Sequence, residues 1–151
     1  MRKNTIENNS GEAQKEQYVL DTYAVLCYLR DEEGADLVAA LLKAGKQGRI
    51  LLNMSWINVG EVYYIVQREE GREKSRAILE LLRSWPVHLV ECTEKMVLAA
   101  GDIKAKYPLS YADAFAVALA RDKQAFLLTG DPEFEKVEKN GLVNIKWLPC
   151  K

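Results

Sequence analysis

Short apolar runs that alternate with stretches of helical periodicity constrain this chain most. Tyr18–Asp21, Val87–Glu91, Ala125–Thr129 and Val143–Leu148 each read as a strand. Between them, apolar residues recur every three to four positions, as in Ala24, Val25, Tyr28 and Leu29, or Ile78, Leu79, Leu81 and Leu82. Such spacing places them on one side of a helix. Helices are expected over Thr22–Leu29, from Gly34 through Leu42, from a cap at Ser55 to about Glu69, and over Arg72–Trp85, where Pro86 stops the last of these. Two more follow, from a cap at Thr93 to about Lys106 and from a cap at Ser110 to Arg121. Ile50-Leu51-Leu52 is left open between a strand and the approach to a helix. Strands that alternate with helices predict an α/β fold with a mainly parallel sheet. At 151 residues the chain fits one domain with a real core.

Four acidic residues interrupt these apolar runs: Asp21, Glu61, Asp113 and Asp131. Carboxylates are rarely placed among apolar neighbours unless something pairs with them. Asp21 and Asp131 both fall just past the carboxyl ends of expected strands, where open α/β sheets hold their ligands. Glu61 and Asp113 sit on apolar helices able to face that edge. Each acid also has an ordinary structural reading. Asp21 can cap the helix that starts at Thr22. Asp113 fits a capping box with Ser110, Gly130-Asp131-Pro132 can be a plain turn, and Glu61 can be one exposed helix position. Taken together they point to a shared site for a hard divalent ion such as Mg²⁺ or Mn²⁺. Two carboxylates ~4 Å apart repel by about 4 kcal/mol at an effective dielectric near 20, and a cation removes that repulsion.

Composition excludes several alternatives. There is one histidine, His88, so neither a metal-free ribonuclease with two histidines as acid and base nor a His-rich zinc site is available. Cys27, Cys92 and Cys150 form no metal-type pair and no disulfide framework. A net charge of −1 argues against broad nucleic-acid binding, although basic residues cluster locally, for instance at Arg68, Arg72, Lys74 and Arg76. No apolar run is long enough to cross a bilayer, and the start lacks a signal peptide's apolar centre, so a cytoplasmic protein without membrane contact is expected. Residues 1–17 read as a polar, mobile tail before the domain at 18–151.

The segments Val19-Leu20-Asp21-Thr22, Ser110-Tyr111-Ala112-Asp113-Ala114 and Leu128-Thr129-Gly130-Asp131-Pro132-Glu133-Phe134, with the helix-borne Glu61, resemble those of PIN domains, specifically the VapC-type toxin ribonucleases. The resemblance spans roughly Tyr18 to Leu148. It implies a three-layer α/β/α fold and a Mg²⁺- or Mn²⁺-dependent endoribonuclease acting on RNA. It also implies the toxin of a type II toxin–antitoxin pair, a homodimer inhibited by a small antitoxin protein. On this resemblance Asp21, Glu61, Asp113 and Asp131 form the acidic metal-binding and catalytic quartet. Glu133 is an accessory, and Thr22 and Thr129 orient carboxylates or water through their hydroxyls. Lys104 or Arg72 would hold the RNA backbone. The polar tail departs from the compact toxins, which begin near the first strand. The competing readings are a catalytically silent PIN-like module that binds RNA or protein, and another Mg²⁺-dependent phosphoesterase. A haloacid dehalogenase-like phosphatase wants a D-x-D at the first strand, whereas this chain has Asp21-Thr22-Tyr23. A receiver-type signalling domain leaves Glu61 and Asp113 without a role.

Overall fold

The computed structural model describes residues 15–149. One five-stranded sheet runs through it, formed by β1 (Gln17–Leu20), β2 (Leu51–Ser55), β3 (His88–Val90), β4 (Phe126–Thr129) and β5 (Asn144–Trp147). Six helices of a full two turns or more connect the strands: α1 (Thr22–Leu29), α2 (Ala35–Lys46), α3 (Trp56–Glu70), α4 (Arg72–Ser84), α5 (Glu94–Lys106) and α6 (Tyr111–Lys123). A 3₁₀ turn at Pro132–Phe134 leads into the short α7 (Glu135–Lys139). The polar segment 1–17 lies almost wholly outside the described residues, as does Cys150, and Gln17 already belongs to β1. No helix among the described residues is long and apolar enough to cross a membrane.

All strand pairs are parallel, in the order β3-β2-β1-β4-β5. The expected α/β class is therefore observed, with one strand more than the four expected. Ile50-Leu51-Leu52 leads into that extra strand, β2, which pairs with β1 on one side and β3 on the other. Its polar residues are what hid it. Leu52 and Met54 point into the core, but the intervening Asn53 and Ser55 are also buried, so the apolar run a doubly covered strand normally shows is broken. The Asn53 side chain is retained there by donating to Gln17 Oε1 at 3.3 Å and to the Tyr18 carbonyl at 3.4 Å.

Side chains of β1 alternate between two cores. Tyr18 and Leu20 pack with residues of α1, α3 and α4, whereas Val19 packs with α5, α6, Phe134 and Val137. Helices thus cover both faces, as a parallel sheet requires. α6 is buried all round over seven consecutive residues, Ala114–Ala120. A helix apolar on every side belongs inside a protein, and its four alanines let the β-sheet and flanking helices approach closely. Phe134 and Val137 are buried in a 3₁₀ turn and short helix after Asp131, elements that the sequence did not suggest beyond the alternative of a turn at Gly130-Asp131-Pro132.

The strand order fixes where a site can form. From β1 the chain moves outward through β2 and β3, then crosses back to place β4 on the other side of β1. β1 and β4 therefore flank the point where the winding reverses, and in open parallel sheets a crevice opens there beyond the carboxyl ends of the strands.

Candidate metal centre

Asp21 is the first residue after β1, and Asp131 is the second after β4. Both therefore stand at the mouth of that crevice. Glu61 enters on α3 and Asp113 on the first turn of α6. All four line one open cleft of about 230 Å³, together with Thr22, Tyr23, Leu26, Ile65 and Ser110. Among the described residues no lysine, arginine or histidine lines it. The ion pairs among the described residues join Arg30 to Glu69, Arg83 to Glu80 and Lys95 to Asp122, so none compensates these acids. A larger cavity, about 490 Å³, lies elsewhere between α5 and α6, and its polar lining is of mixed sign, with Asp102, Lys106, Arg121 and Asp122. Chemistry, rather than size, singles out the smaller cleft.

Local capping holds two of the carboxylates and the backbone of a third acid. Asp21 is 1 % exposed and accepts from the Ala24 N–H at 2.8 Å, capping α1. Asp131 accepts from the Glu133 N–H at 2.9 Å, and Asp113 follows Ser110, whose Oγ accepts from the Asp113 N–H at 3.1 Å. The capping reading of Asp21 and its place at the cleft are thus both true, whereas at the head of α6 the cap is the Ser110 hydroxyl and Asp131 caps the 3₁₀ turn. The caps made by Asp21 and Asp131 each satisfy a backbone donor with one carboxylate oxygen and leave the second for the cleft.

Thr129 joins the two strand-end acids. Fully buried at the end of β4, it accepts from the Asp131 N–H at 3.1 Å and its hydroxyl donates to the Asp21 carboxylate. Thr22 also lines the cleft. Its Oγ1 accepts from Asn58 Nδ2 at 3.3 Å. Glu133 is exposed, but Asp113, Asp131 and Glu133 each offer a carboxylate oxygen within 4.8 Å of the others. This trio overlaps the cleft lining only in Asp113 and Asp131. The acids therefore form a buried inner end at Asp21 and a solvent-facing group at Asp131 and Glu133. Gly130 permits the arrangement, since a Cβ there would lie 2.5 Å from the Tyr23 ring.

Electrostatics reflect this crowding. Burial raises the Asp21 carboxyl to about 8, against the Thr129 hydroxyl and Ala24 N–H, with Asp113 and Asp131 adding repulsion. Asp113 is raised to about 6, first by burial and then by Glu61, Asp131 and Glu133, with the Ser110 hydroxyl opposing. Without a cation the centre thus takes up protons near neutrality. An all-oxygen donor set with uncompensated negative charge suits a hard divalent ion, and it lacks the nitrogen and sulfur ligands favoured by zinc or copper.

The sequence did not single out Asn58, Tyr23 or Gly130. Asn58 had a readable signal, because it lies three residues before Glu61, on the same side of α3. Neither Lys104 nor Arg72, suggested as backbone contacts, lines the cleft.

The PIN domain family profile matches residues 18–140. No curated protein matches the chain. Among solved structures, VapBC2 of Rickettsia felis bound to promoter DNA is similar with a TM-score of 0.69 and 15 % identity, over 88 % of this chain and 99 % of that one. VapBC-1 from nontypeable Haemophilus influenzae is similar with a TM-score of 0.63 and 24 % identity, over 87 % and 97 %. A Mycobacterium tuberculosis VapC toxin described as cleaving the sarcin-ricin loop is similar with a TM-score of 0.63 and 14 % identity, over 86 % and 98 %. At these identities the likeness is one of fold.

Proposed function

The chain belongs to the PIN domain family, and from that premise we propose that it is a Mg²⁺- or Mn²⁺-dependent endoribonuclease, the toxin of a type II toxin–antitoxin pair. One observation carries the proposal: Asp21, Glu61, Asp113 and Asp131, drawn from four separate segments, line one cleft with no cationic side chain among its described lining residues. The similar VapBC and VapC structures support the toxin assignment and an antitoxin partner.

In this reading Asp21, Asp113 and Asp131 would hold the ion with Glu133 as an accessory, and Glu61 would position the attacking water or hold a second ion. The ion supplies charge neutralisation on the phosphate and an acidified water. The chain's own contribution is positioning. Thr129 fixes Asp21 relative to Asp131, and Ser110 fixes Asp113 at the head of α6. The raised carboxyls of Asp21 and Asp113 release protons when a cation arrives.

A substrate path leads away from the cleft along α3. Tyr64 is 44 % exposed, and its hydroxyl lies 3.5 Å from Glu61 Oε2. The Arg68 guanidinium sits 4.9 Å from the Tyr64 ring centroid. An exposed ring beside a cation suits a splayed base and its phosphate, which favours single-stranded or looped RNA. Leu98 on α5 and Tyr111 at the head of α6 are both exposed, and the Tyr111 hydroxyl reaches the Val97 carbonyl at 3.5 Å. A second copy would cover that apolar surface in a homodimer.

The test is cleavage of single-stranded RNA with Mg²⁺ or Mn²⁺ by the parent protein and by Asp113→Asn. Metal-dependent cleavage that falls by at least ~100-fold in the variant is expected, since losing a single preorganised electrostatic group costs about that much. Equal activity in the two proteins would remove Asp113 from the mechanism, and no cleavage by the parent would leave a binding module.

A further inference from the structure

Asn58 is fully buried on α3, three residues before Glu61, and its amide spans the elements that carry the acids. Nδ2 donates to Thr22 Oγ1 at 3.3 Å and to the Ala112 carbonyl at 3.2 Å. Thr22 directly follows Asp21, and Ala112 directly precedes Asp113. One side chain therefore ties the head of α1, the body of α3 and the head of α6, beside three of the four cleft acids. The orientation of the amide is not arbitrary. A carbonyl only accepts, so the nitrogen must face Ala112. The oxygen is then turned away, and Asn58 Oδ1 is the one buried side-chain polar atom among the described residues without a hydrogen-bond partner.

The amide therefore keeps a buried acceptor unsatisfied while its nitrogen serves Thr22 and Ala112. Its use here is geometric: it joins backbone and side-chain groups next to the acids. We propose that Asn58 is a positioning residue of the metal centre, holding the acid-bearing helices in register so that their carboxylates converge on one divalent ion. This inference rests on the metal-dependent reading above and assigns a new residue to it. Asn58 acts through Thr22 and Ala112, and it does not touch the reacting atoms.

Mn²⁺ titration by calorimetry on the full chain tests it, with Asn58→Leu as the volume-matched variant and Thr22→Val removing only the acceptor end of the tie. Residues that orient metal ligands typically contribute 10- to 100-fold to affinity. Asn58→Leu is expected to raise the Mn²⁺ Kd by roughly that factor while the protein stays folded by circular dichroism. Thr22→Val should raise it by a smaller factor. The double variant should bind about as weakly as Asn58→Leu alone, because the two side chains share one hydrogen bond. A residue that served stability alone would lower the melting temperature and leave the Kd of the folded protein unmoved. Kd values within about twofold of the parent in both single variants would overturn the proposal, and so would a parent that binds no Mn²⁺. If Asn58→Leu does not fold, Thr22→Val decides by the same criterion. Weakened Mn²⁺ binding in variants of a parent that cleaves no RNA would keep Asn58 in its role and sink the nuclease reading instead.

Discussion

The sharpest consequence of the geometry concerns Asp21 and the stability of the metal-free protein. Its carboxyl is buried at the end of β1 and raised from 3.8 to about 8 by that burial. At about 1.4 kcal/mol per pH unit, holding the carboxylate ionised in the folded protein costs on the order of 5 kcal/mol. Relaxation and entry of water at the open cleft reduce this, so ~2–4 kcal/mol is the working figure. Below about pH 4 the group is protonated in both the folded and unfolded chain and contributes no pH dependence. Between about 4 and 8 the folded protein keeps a proton that the unfolded chain has released, so stability declines as the pH rises. Above about 8 the loss is complete. Asp21→Asn keeps the shape and still accepts from the Ala24 N–H, but it carries no charge to bury. In EDTA at pH 9 the variant should therefore melt above the parent by roughly 5–15 °C, using ~2–4 °C per kcal/mol for a chain of this size. At pH 5 the gap should shrink to about a third of that, and at pH 4 the two should nearly coincide. Saturating Mn²⁺ should reverse the order at pH 8, since only the parent gains the full binding contribution. Thermal melts across pH 4–9 in EDTA and in Mn²⁺ decide the matter. Parallel pH profiles for parent and variant would show that Asp21 is not the buried, repelled carboxyl described here.

Three further outcomes follow from particular contacts. Gly130→Ala drives a methyl into the Tyr23 ring, so it should cost ~1–3 kcal/mol of stability and also weaken Mn²⁺ binding as the Asp131 loop shifts; a variant with parental melting and affinity would count against the close approach. Arg68→Ala should raise the KM for single-stranded RNA several-fold with kcat little changed, because the side chain lies beyond the reacting centre; an effect confined to kcat would contradict the proposed path along α3. Binding of Mn²⁺ at pH 7 should release protons, chiefly from Asp21, measurable as a dependence of the calorimetric heat on buffer ionisation enthalpy; heats independent of buffer would mean the carboxylates are already ionised.

The alternation of apolar strands with periodic helices made the α/β class legible, because the two periods differ and each survives in the local sequence. It was undecided at β2, where buried Asn53 and Ser55 imitate solvent-facing positions and only pairing on both sides reveals the strand. It failed after Asp131, where Phe134 and Val137 needed a core to bury into before a helix could form. The acids were legible one by one, as charges set among apolar residues. The capping chemistry that gives Asp21, Asp113 and Asp131 their ordinary roles was equally legible, and nothing local ranks one reading over the other.

The order of the strands settles what local pattern leaves open. Sequence determined the residue types and their positions at strand and helix ends, since propensity, capping and periodicity act over a few residues. Only the reversal of winding between β1 and β4 brings Asp21 and Asp131 side by side, and only the packing of α3 and α6 over that edge turns Glu61 and Asp113 toward them. Asn58 belongs wholly to this second level. Its hydrogen bonds reach 36 residues back and 54 residues forward along the chain, so its tie between helices exists once they are packed.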